Sequence, residues 1–226
     1  MLFSIILSFC LFPVCPIRGD ETRTVAVLPF ENNSLINREA YDGLKAGLAD
    51  MLTTELSRIS ALHVLERDKL AAVLDELELA RSDVIDESSA PKIGRLLGAR
   101  LLVFGGFVKD LGGKIRIDLR MVKVETGEVL KAVEATGRER VIFKLIKHLS
   151  YKIADELDAD LTREEKQAIR NADKVSLQVL LVYSKGLELL DSGDRQGALE
   201  SFRQALEMDG SFERAKFQIQ KIMENP

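Results

Sequence analysis

Four apolar residues in a row, Val25, Ala26, Val27 and Leu28, stand immediately before Pro29. A continuous apolar run of this length reads as a strand buried in a sheet, and the proline is expected to end its pairing. Asn32, Asn33 and Ser34 form a loop, after which Asn37 is placed to cap a long helix. The apolar residues of that helix, Leu44, Leu48, Met51, Leu52, Leu56 and Ile59, step by three and four. Leu62 to Leu65 reads as a second strand. Strand, helix and strand at this spacing predict a parallel βαβ unit with a right-handed crossover.

Further along, Asp68 is expected to cap a second helix with Leu70, Val73, Leu74 and Leu77 turned inward. Pro91 suits the first turn of a third helix, which runs through Ile93, Leu96 and Leu97 and stops at Gly98. Leu101 to Phe104 is a strand. The turn at Leu111-Gly112-Gly113-Lys114 leads into strict alternation: Ile115, Ile117, Leu119 and Met121 on one face, Arg116, Asp118 and Arg120 on the other. A second turn at 125–128 returns the chain along Val129 to Ala135. Ile142, Leu145, Ile146, Leu149 and Ile153 then form the stripe of a closing helix. Residues 20–160 are thus expected to form one α/β domain with a mixed sheet: a parallel βαβ start, an antiparallel meander, and flanking helices.

The segment 161–226 reads as all-helical. Thr162-Arg163-Glu164-Glu165 is a capping box. Gly186, Ala198, Phe202 and Ala205 then fall at the spacing of one tetratricopeptide-like repeat, about 179–212, with Gly193 in the turn between its helices. The small residues let paired helices approach and Phe202 fills the space between them, while Tyr183 and Leu189 complete the apolar face. The pattern departs from the usual repeat in having Gly210 where a proline is common and in lacking tryptophan. Phe212, Ala215, Ile219, Ile222 and Met223 suit a capping helix. One repeat cannot bury its own faces. Leu187, Leu190, Leu199 and Leu206 are expected to point outward and to need cover, from the α/β domain, from residues 162–172, or from a protein partner.

Chemistry is sparse. The chain has 32 basic and 36 acidic residues, a net charge of −4, no tryptophan and 6% aromatics. It shows neither the basic footprint nor the stacking platform of a nucleic-acid binder. The glycines at 105–106 and 112–113 lack the spacing of a phosphate loop. His63 and His148 have no ligand spacing around them, and Asp83, Asp86 and Glu87 lack the pattern of a calcium loop. Arg116, Asp118 and Arg120 read most simply as a solvated sheet face, with a subunit interface as the alternative. No acid–base or nucleophilic constellation is visible. The expectation is no enzyme, no cofactor and no metal.

The first residues differ from the rest. Met1 to Val14 carry no charge and include an apolar run too short to cross a bilayer, since spanning takes about 20 residues. This suits the core of an export signal covering residues 1–19, cleaved after Gly19, although no basic residue precedes the run. Cys10 and Cys15 are the candidates for lipid attachment, but Phe9 and Val14 stand where a lipoprotein signal needs a small residue. Simple cleavage leaves a mature chain with no cysteine, hence no disulfide.

In order, VAVLPFENN (25–33), GLADMLTTELSRISALHVLERDKLAAVLDE (47–76), IGRLLGARLLVFGGFV (93–108) and IRIDLRMVKVETGEVL (115–130) resemble the CsgG family of curli-secretion channel lipoproteins. Related groups are FlgO, the LpoB-type activators of penicillin-binding proteins, and TolB-like N-terminal domains that often precede tetratricopeptide repeats. The resemblance spans roughly 24–157. It implies a non-enzymatic bacterial envelope protein of the periplasm or outer-membrane surface, acting as an accessory or scaffold through protein partners, with a homo-oligomer open and membrane contact peripheral or by a lipid anchor. The alternative it implies is a TolB-like sensory or regulatory module with the repeat as a relay. Channel-forming members insert long hairpins between Phe107 and Ile115 and after the 129–135 strand. Neither connection here has room for them, since a membrane strand takes about 9–11 residues.

Overall fold

The computed structural model describes residues 23–76, 87–171 and 175–224. The expected leader with Cys10 and Cys15 lies outside the described residues, as do Leu77, Asp83, Asp86 and the side chain of Asp68. The architecture is α/β, a mixed sheet flanked by helices and followed by a helical C-terminal region. Strand β1 (Arg23–Val27) pairs in parallel with β3 (Leu62–Val64) on one side and β4 (Leu101–Lys109) on the other. Antiparallel β5 (Lys114–Lys123) and β6 (Val129–Arg138) complete the order β3-β1-β4-β5-β6. Pro29 interrupts the ladder without ending it. Leu28 donates to the Val103 carbonyl before the proline, and β2 (Glu31–Asn32) resumes alongside Gly106 and Phe107 after it. A proline removes one donor, and the neighbouring donors remain.

The single helix expected after Asn37 is two: α1 (Arg38–Tyr41) and α2 (Leu44–Leu56). Asn37 starts α1 with φ 52° and makes no side-chain capping bond. The break is held instead by buried Asn32, whose Nδ2 donates to the Arg38 carbonyl at 2.8 Å and to Asp42 Oδ1 at 2.9 Å. Helix α3 (Arg67–Glu76) follows β3. Helix α4 (Ala90–Leu97) has proline in its first turn and ends on Gly98 at φ 67°, the left-handed conformation that glycine adopts without cost.

The chain passes from β1 through α2 to β3, and from β3 through α3 and α4 to β4 on the far side of β1, with α2 in one core and α3 and α4 in the other. The smaller core, Ala26, Leu28, Leu70, Ile93, Leu102 and Phe104, lies under α3 and α4. The larger core joins the other face of the sheet to α2 and α5 (Ile142–Glu156). It continues without a boundary into α7 (Leu177–Asp191), α8 (Arg195–Met208) and α9 (Glu213–Glu224). The short α6 (Arg163–Asn171) precedes these three.

The C-terminal helices therefore take their cover from the α/β part. Leu187 is fully buried, and Leu190, Leu199 and Leu206 are partly buried against the same core. Of the sources of cover that the sequence left open, the α/β domain is the one on which α7 lies, through α2. Helix α2 is packed by the sheet on one side and by α7 on the other, so its apolar residues find a neighbour in either direction.

Candidate functional site

The four residues singled out in the helical region form the seam between α7 and α8. Gly186, Ala198, Phe202 and Ala205 are all buried. A Cβ on Gly186 would stand 2.6 Å from Phe202 Cε1, so the ring lies directly on bare backbone. Tyr183 packs 5.3 Å from the Phe202 ring centre and meets Phe212 edge-on at 4.9 Å. These are interior packing positions. The surface they leave to a visitor is the outside of α8 and α9, where Met208, Phe217 and Met223 are exposed.

The seat of these helices on the α/β domain has a polar centre. Gly47 of α2 faces Ser184 of α7, and a Cβ on Gly47 would overlap the Ser184 hydroxyl. The close approach brings α9 over α2, where Asp50 is 1% exposed. Arg214 donates from Nη2 to Asp50 Oδ1 at 2.6 Å and from Nε to Oδ2 at 3.2 Å, and the Tyr183 hydroxyl donates to Oδ2 at 2.8 Å. Burial, aided by the negative charge of Asp50, raises the Tyr183 phenol well above its ordinary pKa, so it stays a neutral donor. Gln218 completes the group, donating to the Tyr183 oxygen at 3.5 Å. A buried carboxylate is tolerated when a cation and further donors satisfy it. Sequence reasoning missed this network. Its one visible signal is an aspartate flanked by Leu48, Ala49, Met51 and Leu52 in a helix otherwise suited to the core.

A crevice of about 340 Å³ opens at the carboxyl end of β1, beside Phe104 and Gly105 in the middle of β4. It sits where the chain switches from covering one face of the sheet with α2 to covering the other with α3, the place where open α/β sheets commonly bind ligands. Phe30, Leu70, Leu74 and Phe104 supply apolar wall, and Lys45, Arg67, Glu188 and Asp191 the charges. Arg67 closes one side by pairing with Asp191 and donating to the Leu187 carbonyl at 3.1 Å. Partial loss of water raises the Glu188 carboxyl above its usual pKa.

The remaining polar candidates are dispersed. Arg116 chelates Asp118 at 2.8 and 2.9 Å and reaches Glu134 at 2.9 Å on the open face of the meander. Arg120 pairs with Glu87 at 3.3 Å. His63 is exposed on β3 and His148 on α5, on different elements. Among the described residues no group of three or more His, Cys, Asp or Glu could hold a metal ion, and no helix is long and apolar enough to cross a membrane. The capping box at Thr162 is formed: Thr162 donates to Glu165 at 2.8 Å and Glu165 to the Thr162 hydroxyl at 3.1 Å. Glu165 also accepts from the Ser60 amide at 2.7 Å, tying α6 to the α2–β3 loop.

Residues 18–109, short of half the chain, match the family model described as curli production assembly/transport component CsgG. The match ends with β4, so the meander and all later helices lie beyond it. No curated protein sequence matches the chain. Among solved structures, the LpoB C-terminal domain from Salmonella enterica is similar at 16% identity and TM-score 0.38, covering 51% of this chain and 82% of that one. The lipoprotein GNA1162 from Neisseria meningitidis is similar at 16% identity and TM-score 0.38, covering 62% and 99%. A PelC dodecamer from Paraburkholderia phytofirmans is similar at 16% identity and TM-score 0.40, covering 62% and 90%.

Proposed function

We propose that this chain is a non-enzymatic accessory or scaffold protein of the bacterial envelope, CsgG-like in its α/β part, that works through protein–protein contacts and forms no pore. The observation that carries the reading is the shortness of two connections. Only residues 110–113 separate β4 from β5, and β6 passes into α5 through the single 3-10 turn Glu139–Val141. These are the places where channel-forming members of the family carry hairpins, and a membrane hairpin needs two strands of about 9–11 residues each. The family match over 18–109 supports the envelope setting, with export through a leader at 1–19 and a periplasmic or outer-membrane-associated mature chain. The exposed outer faces of α8 and α9 are the surface offered to a partner.

The shared core of α2 and α7 favours a second reading, a TolB-like regulatory module in which the helices relay a signal to the α/β part. One experiment separates the two and tests the first. Protein recovered from fractionated native cells is weighed intact and then added to planar bilayers. The scaffold reading expects a chain lacking residues 1–19 in the envelope fraction and no conductance. A full-length chain in the cytosol favours the regulatory module, and stepwise conductance at low protein concentration overturns the non-pore assignment.

A further inference from the structure

Helices α5 and α6 meet in a shallow groove, and its two rims are cationic. Lys144 and His148 stand four residues apart on α5, and Lys166 and Arg170 four apart on α6. All four side chains belong to exposed residues, and no ion pair among the described residues engages them. The floor is Phe143, buried, and Tyr151, half-buried. It is held in shape by two bonds across the helices: the Tyr151 hydroxyl donates to the Lys166 carbonyl at 3.0 Å, and Lys147 Nζ to the Arg170 carbonyl at 3.0 Å. Among the described residues no carboxylate lines it.

The fold does not ask for this arrangement. Lys166 and Arg170, four apart on α6, repel each other, and Lys144 across the groove adds to the repulsion. Elsewhere the chain, acidic overall, pairs many of its exposed cations with carboxylates, as at Arg116 and Arg120. A shallow trough with an aromatic floor and basic rims has the complementarity of a peptide groove.

We propose that the α5–α6 groove binds an acidic segment of a partner protein, with an apolar side chain laid on Phe143 and Tyr151 and flanking Asp or Glu side chains paired with the two rims. This surface is separate from the outer faces of α8 and α9, and its test uses purified protein, so it stands or falls apart from the envelope assignment.

The probe is a fluorescein-labelled twelve-residue peptide of Asp and Glu around a central Leu-Phe, read by anisotropy against the whole mature chain. Binding is expected, weakening as salt rises. The variant K166E/R170E should lose about tenfold or more in affinity, and K144Q/K166Q should lose less. The variant K92E/K123E, with the same change in net charge on other elements, should bind like the parent. Vesicles carrying 30% phosphatidylglycerol, sedimented with the same proteins, form the second arm. Equal peptide affinity in K166E/R170E and K92E/K123E overturns the proposal. So does vesicle binding lost in K166E/R170E without peptide binding, or self-association that the same variant abolishes while the peptide does not bind. Unchanged circular dichroism of the variants confirms that loss of binding is not loss of fold.

Discussion

Arg214 meets Asp50 beneath α9, where the carboxylate is 1% exposed, whereas Arg116 meets Asp118 and Glu134 on an open sheet where all three side chains stand half in water. The distances are alike, 2.6 Å in the first and 2.8 to 2.9 Å in the second. The surroundings are not. In the seat, no water replaces a lost partner, and Tyr183 and Gln218 complete the set. On the meander, solvent stands ready for each group, and such pairs contribute little. The comparison teaches that the deep contact under α9 is the one that solvent cannot replace, whereas Arg67 with Asp191 and the conspicuous cluster on the meander are surface pairs.

The comparison breaks most visibly at Arg214. Replacing it with methionine strands Asp50 in the core and should cost about 3–5 kcal/mol of stability, read as a lower urea midpoint. The double variant D50L/R214M, which removes both charges, should recover most of that loss. If R214M alone unfolds no more easily than the parent, α9 does not seat on α2 as described.

A smaller effect is expected at Glu165, whose carboxyl accepts from the amides of Ser60 and Thr162. These bonds, Ser60 first, hold it down to about 2, below the value of about 4.3 in an unfolded chain. A lowered folded-state value means that its contribution is complete above about pH 5 and lost as pH falls through the folded value near 2. Urea midpoints measured between pH 5 and pH 2 should therefore fall less steeply in E165Q than in the parent. The smallest effect is reserved for the open network: R116Q should leave the midpoint where it was, and a clear drop would mean that the meander face is covered in solution.

The sheet could be read from the order of residues because its signals are local. Val25 to Leu28, the alternation of Ile115 to Met121, and the turn around Gly113 each declare themselves within a few positions. Gly186 and Phe202 lie within one helical pair, where a spacing can be followed along the chain. Asp50, Arg214 and Tyr183 were not legible, because they lie far apart in the chain and meet only after α7 lies down on α2. Asn32 escaped notice likewise. Its amide looks like loop chemistry until it is seen bridging Arg38 and Asp42, where it splits one expected helix into two. For the four leucines of α7 and α8 the helical stripe shows that they want cover, and leaves open which part of the chain or which partner supplies it.

The layering of α2 between the sheet and α7 also governs how the molecule comes to be folded. Asp50 waits for Arg214, a partner 164 positions further along the chain. Contacts of such separation slow folding, because a long loop must close before they yield anything. During synthesis, at roughly 5–20 residues per second, the α/β part is made well before its last wall exists. One flank of α2 stays bare until α7 is made, and Asp50 lacks its cation until α9 follows.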